Sequence, residues 1–412
     1  MRVGILGGGQ LAAMLAESVL RLGGTPIVYD PDPEAPARRT VPDVVTAAFE
    51  DRRTLAAFAS RCDVVTYERE DLPVAALREA APGTRFLPDL RVLEVAQDRA
   101  LEKDFLARSG LECVRHVVVA REQKLEDAVA AFGLPAIAKT ARGGYDGKGQ
   151  FLIRHPRDAR AARIAMPDAA WVLEEPVNIV CEASCIIARS EREEAAFPVV
   201  ENLHRDHVLD RSLVPGMLPA HVAARMRDLA LSAALRLGVC GLLAVEFFVA
   251  RQAGAEGNDP GSWRVLINEI APRPHNSGHV LSRACTFGQF DALARVLVGA
   301  PLGQPSLLPG SFCMGNLLGD VWLAQGREPR LDLTAWKDFP EVVEVNIYGK
   351  TRVEQGRKMG HSVVMASAPD HALARAEAFR LALERQRAKP RPSGDDRGFG
   401  SATSRPFQGA LE

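Results

Sequence analysis

The stretch Ala138–Gln150, "AKTARGGYDGKGQ", decides how the rest of the chain is read. An apolar strand ends on Lys139 and is followed by glycines at 143, 144, 147 and 149. Glycine lacks a Cβ, so such a loop lets backbone N–H groups close on phosphate oxygens, and the lysine adds a point charge. The loop lacks the Lys-Ser/Thr ending of a P-loop. It reads as a phosphate cradle of another kind, the bland alternative being a flexible hairpin with incidental charge. Tyr145 and Asp146 inside it are unexplained by phosphate binding alone.

Around this loop, short strand and helix patterns alternate. "RHVVVA", "PAIAKTA", "QFLIR" and "WVLEEPV" read as strands, and "LEDAVAAFG" and "PRDARAARIAM" as helices. Together they predict a small α+β unit over residues 115–190. Upstream, strands "RVGIL", "TPIVYD", "VVTAAF" and "CDVVTYE" alternate with helices at Gln10–Leu22 and "DRRTLAAFA". That alternation predicts a doubly wound parallel sheet over 1–95. A long helical segment is expected from Asp89 to Arg108. Downstream, residues 191–300 carry long strands, including "GLLAVEFFVA" and "WRVLINEIA", which read as antiparallel neighbours. Residues 301–388 form a smaller module, with strands "VVEVNIYGK" and "HSVVMASA" and a helix at His371–Arg385. Residues 389–412 are Pro/Gly/Ser-rich and are expected to be a disordered tail.

Bulk properties exclude several classes. The 412 residues are 47% apolar and 25% charged, with formal net charge −1, so no bulk electrostatic pull on nucleic acid or membrane surfaces is expected. Apolar runs stay short of the ~18 residues a membrane span needs. Seven cysteines without a C-x-x-C pair read as reduced thiols in a cytoplasmic protein.

A second glycine cluster, "GILGGGQ", opens the chain. As a strand-to-helix turn it invites a dinucleotide reading, hence a nicotinamide oxidoreductase. It equally fits a plain turn, or a helix terminus serving another anion with Gln10 in reach. The oxidoreductase reading leaves two other features unused. Glu246 and Glu269 each interrupt an otherwise apolar strand, where unpaired charge is costly. Two carboxylates on adjacent strands call for a cation, and oxygen ligands beside phosphates point to Mg²⁺. The alternative is an Arg or Lys partner for each. The loop "APRPHNSGH" follows at once and brings Arg273, His275, Asn276 and His279, groups able to move protons and grip anions.

The ensemble resembles the ATP-grasp superfamily. "GGGQLAAML", "TYERE", "AKTARGGYDGKGQ", "INEIAPRPHNSGH" and "YGKTRVEQGRKMGH" resemble, in order, the 5-(carboxyamino)imidazole ribonucleotide synthase family of purine biosynthesis. The resemblance implies a mixed α/β and α+β architecture. Its parts are a doubly wound N-terminal domain, a small lid, a central antiparallel-sheet ATP-grasp domain and a C-terminal module. It implies that ATP phosphorylates bicarbonate to carboxyphosphate and that the exocyclic amine of 5-aminoimidazole ribonucleotide is then carboxylated. ATP positions fall on Arg99, Lys139, the loop Gly144, Tyr145, Asp146, Gly147, Lys148, Gly149, Gln150, the segment Glu174, Glu175, Pro176, Val177, and on Glu182, His204, Asn268 and Glu269. Metal ligands fall on Glu246 and Glu269. Ribonucleotide positions fall on Gln10, Leu11, Glu68, Tyr145, Asp146, Lys148, Arg273, His275, Asn276, Lys350 and Arg357. Glu70 is an alternative to Glu68. Asp146 and His275 are the candidates for proton handling, and a homodimer is expected. The runner-up is an ATP-grasp ligase with another acyl donor, such as the formate-dependent glycinamide ribonucleotide transformylase, for which His-Asp-Thr-Gly would be expected in place of "HNSG".

Overall fold

The computed structural model describes residues 1–144, 147–252, 260–326 and 329–386; the expectations for Tyr145, Asp146 and the tail after Lys389 fall outside them. Strands Arg2–Leu6, Thr25–Tyr29, Val44–Val45 and Val64–Tyr67 form a parallel sheet in the spatial order third, second, first, fourth. The first and fourth strands end side by side, with Leu6 opposite Tyr67. Their C-terminal ends therefore deliver Gly7 and Glu68 to one point, where sheets of this kind bind ligands. Of "VVTAAF" only Val44 and Val45 pair. The chain then turns off the sheet, as the Tyr29 hydroxyl donates to the Ala48 carbonyl at 2.6 Å and Phe49 packs on the Tyr29 ring.

Helix Gln10–Arg21 carries Leu11, Leu15 and Val19 at helical spacing and buries them. It lies against helix Gln289–Val298 of the central domain, sharing one core with Leu293 and Leu297. Full burial of a Leu or Val side chain contributes about 2 kcal/mol. Ser18 and Arg21 add polar contacts to Asp291 at 3.0 and 2.5 Å. The N-terminal domain is thus fixed to the centre by an apolar helix pair with a polar rim.

The helical segment expected over Asp89–Arg108 is two helices, Leu90–Ala96 and Arg99–Arg108. Asp98 makes the break: its carboxylate accepts from the Ala100 and Leu101 amides, capping a new helix start. The cap turns Arg99, Glu102 and Lys103 toward the centre of the protein.

The lid is a four-stranded antiparallel sheet in the order His116–Val119, Trp171–Glu174, Ala136–Thr140, Gln150–Ile153. Its core joins Leu125 and Val129 of helix Leu125–Phe132 to Ala159 and Ala162 of helix Pro156–Ala165. The lid sheet ends at Glu174, and the next strand, Ile179–Arg189, already belongs to the central sheet.

The central sheet has nine strands among the described residues. Along it run Trp263–Ala271, Gly241–Arg251, Ile179–Arg189, Val200–Arg205, Val208–Val214, Ser311–Leu318, Lys358–Ala366 and Val342–Ile347, with Glu194–Ala196 paired to the side. The segment "EAAFPVVENLH" forms two strands, Glu194–Ala196 and Val200–Arg205, separated at Phe197–Val199. Val208–Val214 and Ser311–Leu318 have no counterpart in the sequence reading. They pair antiparallel, Val214 opposite Phe312, and make the C-terminal module continuous with the centre. "SFCMGNLL" lacks alternation because it is covered on both faces, the expected pattern for a strand deep in a sheet.

Candidate active site

A cavity of about 1140 Å³ lies where lid, central sheet and N-terminal domain meet. Of the expected site residues within the described chain, all line it except Lys148, Gly149, Lys350, Arg357 and the buried His279.

Its floor is the strand pair Gly241–Arg251 and Trp263–Ala271, in which Glu246 stands directly opposite Glu269. Burial and then the Glu246 charge push the Glu269 carboxyl up. Burial would push Glu246 up as well, but the electrostatic attraction and hydrogen bond of the facing His275 N–H outweigh it and hold Glu246 below the usual carboxylate range. His275 Nε2 lies 2.7 Å from Glu246 Oε1, and Arg99 Nη2 is 3.7 Å from Glu269 Oε2. Glu269 thus has the arginine partner that the alternative reading allowed, whereas Glu246 faces a histidine and neither Arg nor Lys. Beside them the buried Asn268 Oδ1 has no hydrogen-bond partner. Two facing carboxylates plus an orphaned oxygen fit a hard divalent cation. Among the described residues no group of three His, Cys, Asp or Glu side chains could hold a metal alone.

His275 is oriented from behind. The Ser277 amide and hydroxyl both reach Nδ1, at 3.4 and 2.8 Å. An N–H can only donate, so Nδ1 is the acceptor and the ring proton sits on Nε2, facing Glu246. The chain continues inward through Ser184, 2.7 Å from Ser277, to Asn202 and Ser212, all buried. These residues were not singled out from sequence. Their signal is faint, because hydroxyls and an amide inside strands become a network only when strands far apart in the chain pair.

The lid wall carries Lys139, 2.6 Å from Glu174 Oε2. Glu174 is 2% exposed. Burial favours its neutral form, but Lys103 and Lys139 together outweigh that and hold the carboxyl down. Lys103 was missed in the sequence, where "ALEKDF" reads as a solvated helix. It is 1% exposed, with Nζ 3.3 Å from Glu174 Oε1 and donating to the Asn268 carbonyl at 2.8 Å. Burial also pushes neighbouring Glu102 up to about 8, and it accepts from the Ile270 amide at 2.5 Å. Arg99 donates to the Thr140 and Gly144 carbonyls, each at 3.4 Å. Helix Arg99–Arg108 therefore bonds both lid and floor. On the loop, Gly143, Gly147 and Gly149 have φ of +75°, +78° and +72°, which other residues adopt only with strain. Deeper in the cavity His204 Nδ1 lies 3.2 Å from Glu182 Oε2. Burial alone would lower His204, but the Glu182 hydrogen bond and charge win and raise it.

At the other end, Glu68 and Glu70 separate clearly. Glu68 accepts from the Gly9 and Ala12 amides at 2.6 and 3.2 Å, and Glu70 pairs with Arg273 at 3.1 Å. The Gly8 amide donates to Asp30 at 2.7 Å. The amides of the first glycine turn are thus occupied by the protein's own carboxylates, leaving no cradle for a dinucleotide pyrophosphate. Lys350 and Arg357 sit outside the cavity lining on the connection Ile347–Lys358, which meets the N-terminal domain through a Thr351–Glu34 hydrogen bond of 2.9 Å. Gly349, at φ +71°, lies so close to the Arg39 guanidinium that a Cβ would come within 1.9 Å of it. Burial first, then Arg357 and Lys358, lower Lys350 to about 8, while Glu68 opposes them. Lys358, not anticipated, lines the cavity.

Three domain families match this chain: a ribonucleotide synthetase preATP-grasp domain over residues 1–97, an ATP-grasp domain over 104–290, and a phosphoribosylaminoimidazole carboxylase C-terminal domain over 313–375. The N5-carboxyaminoimidazole ribonucleotide synthase of Bacillus subtilis is 35% identical over 370 residues, covering 89% of this chain and 92% of its own. The crystal structure of N5-carboxyaminoimidazole synthetase from Staphylococcus aureus complexed with ADP is 30% identical, with a TM-score of 0.82 and coverage of 92% of this chain and 96% of that one. The N5-carboxyaminoimidazole synthase of Aspergillus clavatus, in complex with ADP and 5-aminoimidazole ribonucleotide, is 25% identical, with a TM-score of 0.80 and coverage of 93% and 98%. With the parallel domain, the lid and the paired floor carboxylates all in one chain, this protein belongs to the N5-carboxyaminoimidazole ribonucleotide synthase family of ATP-grasp proteins.

Proposed function

We infer that this protein is an ATP-dependent carbon–nitrogen ligase that carboxylates 5-aminoimidazole ribonucleotide to its N5-carboxyamino product, using bicarbonate and releasing ADP and phosphate. The observation that carries the reading is the single cavity in which the lid lysine, the facing carboxylates Glu246 and Glu269, and the ribonucleotide-side residues Gln10, Glu68 and Arg273 meet.

In this reading Lys139 and the loop Gly144–Gln150, including Lys148 and Gly149, take the ATP phosphates. Glu174, Glu175, Pro176 and Val177 receive the adenine, and Glu182 with His204 the ribose. Glu246, Glu269 and Asn268 would hold Mg²⁺, which would neutralise phosphate charge when bound. Arg99 spans lid and floor, so it draws the lid down beside Glu269. Closing the lid excludes water, which a labile carboxyphosphate requires. Gln10, Leu11 and Glu68 position the ribose of the second substrate. Arg273 and Asn276 face the base, and Lys350 with Arg357 hold the 5′-phosphate. His275 presents Nε2–H toward the floor, as a donor that would serve an oxyanion bound beside Glu246. Asp146 is retained from its place in the loop as the partner for the accepting amine. Normal turnover in both Asp146→Asn and His275→Gln would sink these two roles.

Seven unpaired cysteines suit a reducing cytoplasm, and a homodimer is the proposed assembly, to be read by light scattering. The decisive experiment is ADP release with each of ATP, bicarbonate, Mg²⁺ and 5-aminoimidazole ribonucleotide omitted in turn. Full activity should need all four. Formate replacing bicarbonate as the required donor would overturn the reading in favour of the transformylase alternative.

A further inference from the structure

Glu174 is held between two lysines that differ in position. Lys139 lines the cavity at the end of its strand, beside the glycine loop. Lys103 is 1% exposed, sits on helix Arg99–Arg108 and is tied to the Asn268 carbonyl at 2.8 Å. Lys139 holds Glu174 Oε2 at 2.6 Å, while Lys103 stands 3.3 Å from Oε1. Glu174 Oε1 receives no well-directed hydrogen bond. That oxygen is buried on the Lys103 side of a residue that lines the cavity.

Nucleotide phosphates compete with Glu174 for Lys139. If they win, Glu174 loses its closer partner, and a buried carboxylate left alone protonates or moves. We propose that Lys103 is the fixed counter-ion that keeps Glu174 ionised and in place when phosphates draw Lys139 away, which makes it a positioning residue for adenine selectivity. The inference rests on the ATP reading above. An ionised carboxylate accepts from the exocyclic amine of adenine and repels the carbonyl that guanine presents at the same ring position. Lys103 also links that recognition to the floor, because the carbonyl it holds belongs to the residue next to Glu269. Base and phosphates are thereby read by one charge-balanced cluster.

The test uses the full-length chain carrying Lys103→Met or Lys103→Gln. Gln keeps a donor for the Asn268 carbonyl while removing the charge, so it serves where Met impairs folding. ADP and GDP affinities are measured by calorimetry, and ATP and GTP kinetics by nucleoside-diphosphate release with bicarbonate and 5-aminoimidazole ribonucleotide. Both variants should bind ADP about tenfold or more weakly, the worth of one pKa unit of charge stabilisation, with GDP affinity little changed. The ratio of kcat/KM for ATP over GTP should fall by a similar factor, mainly through KM. An unchanged ADP-to-GDP affinity ratio in a variant that melts as the parent does would overturn the proposal, as would an equal loss for both nucleotides. If the parent shows no ribonucleotide-dependent turnover, the functional reading fails, yet the calorimetric ratio still decides the role of Lys103.

Discussion

Two glycine clusters, Gly7–Gly9 and Gly143–Gly149, look equally suited to a phosphate, yet the structure treats them oppositely. At the first, amides are present but spent: Gly8 donates to Asp30, and Gly9 and Ala12 donate to Glu68. A helix N-terminus attracts an anion, and here the anion is built in. At the second, three glycines hold positive φ beside Lys139 and Arg99. Glycine content reports that backbone comes close to something; the neighbouring charges report what. The first cluster therefore presents a carboxylate, which suits hydroxyls, and in the proposed reading phosphate recognition at that end falls to distant cations. The second presents backbone and cations, which suits phosphates directly.

This contrast can be broken experimentally. The largest effect is expected at the second cluster. Lys139→Met should lower kcat/KM for ATP about 100-fold, the scale for a lost charge on a transferring phosphoryl group, with ribonucleotide KM little changed. Equal losses for both substrates would erase the division of labour. At the first cluster Glu68→Gln should raise the ribonucleotide KM about tenfold, as a charge-assisted hydrogen bond becomes a neutral one, with ATP KM unmoved. A rise in ATP KM there would show that the first cluster also serves the nucleotide.

The smallest effect concerns pH. Lys350 is lowered from 10.5 to about 8 by burial and by Arg357 and Lys358. A lysine lowered in this way costs stability while protonated, so the fold gains stability as pH rises from about 8 toward 10.5. Phosphate binding runs the other way, since the ammonium is one of the two cations proposed to hold the phosphate. The ribonucleotide KM should therefore rise a few-fold, on the order of threefold, between neutrality and pH 9, with ATP KM flat. A profile unchanged by Lys350→Met would remove Lys350 from the phosphate site.

Much of the fold was legible because its elements carry local signals. The helix Gln10–Arg21, the lid strands and the pair bearing Glu246 and Glu269 follow from periodicity and apolar runs. The break at Asp98 was legible in principle, since Asp ahead of a helical run is a capping signal, but continuous helical periodicity masked it. Ser311–Leu318 was not legible, because a strand covered on both faces loses its alternation. At the site, carboxylates inside apolar strands stood out by their cost. Lys103 did not, because a lysine in a polar helix is ordinarily solvated, and its burial depends on the lid strand and floor strand that enclose it.

By itself, then, the sequence determined which groups carry charge where charge is expensive, and where backbone must pass close to a ligand. Those are properties of residue type and local pattern. Only the tertiary structure decided which glycine turn keeps its amides, which glutamate faces which cation, and that the terminal module continues the central sheet. Each of these depends on segments tens to hundreds of residues apart in the chain, whose meeting is governed by packing that no local window contains.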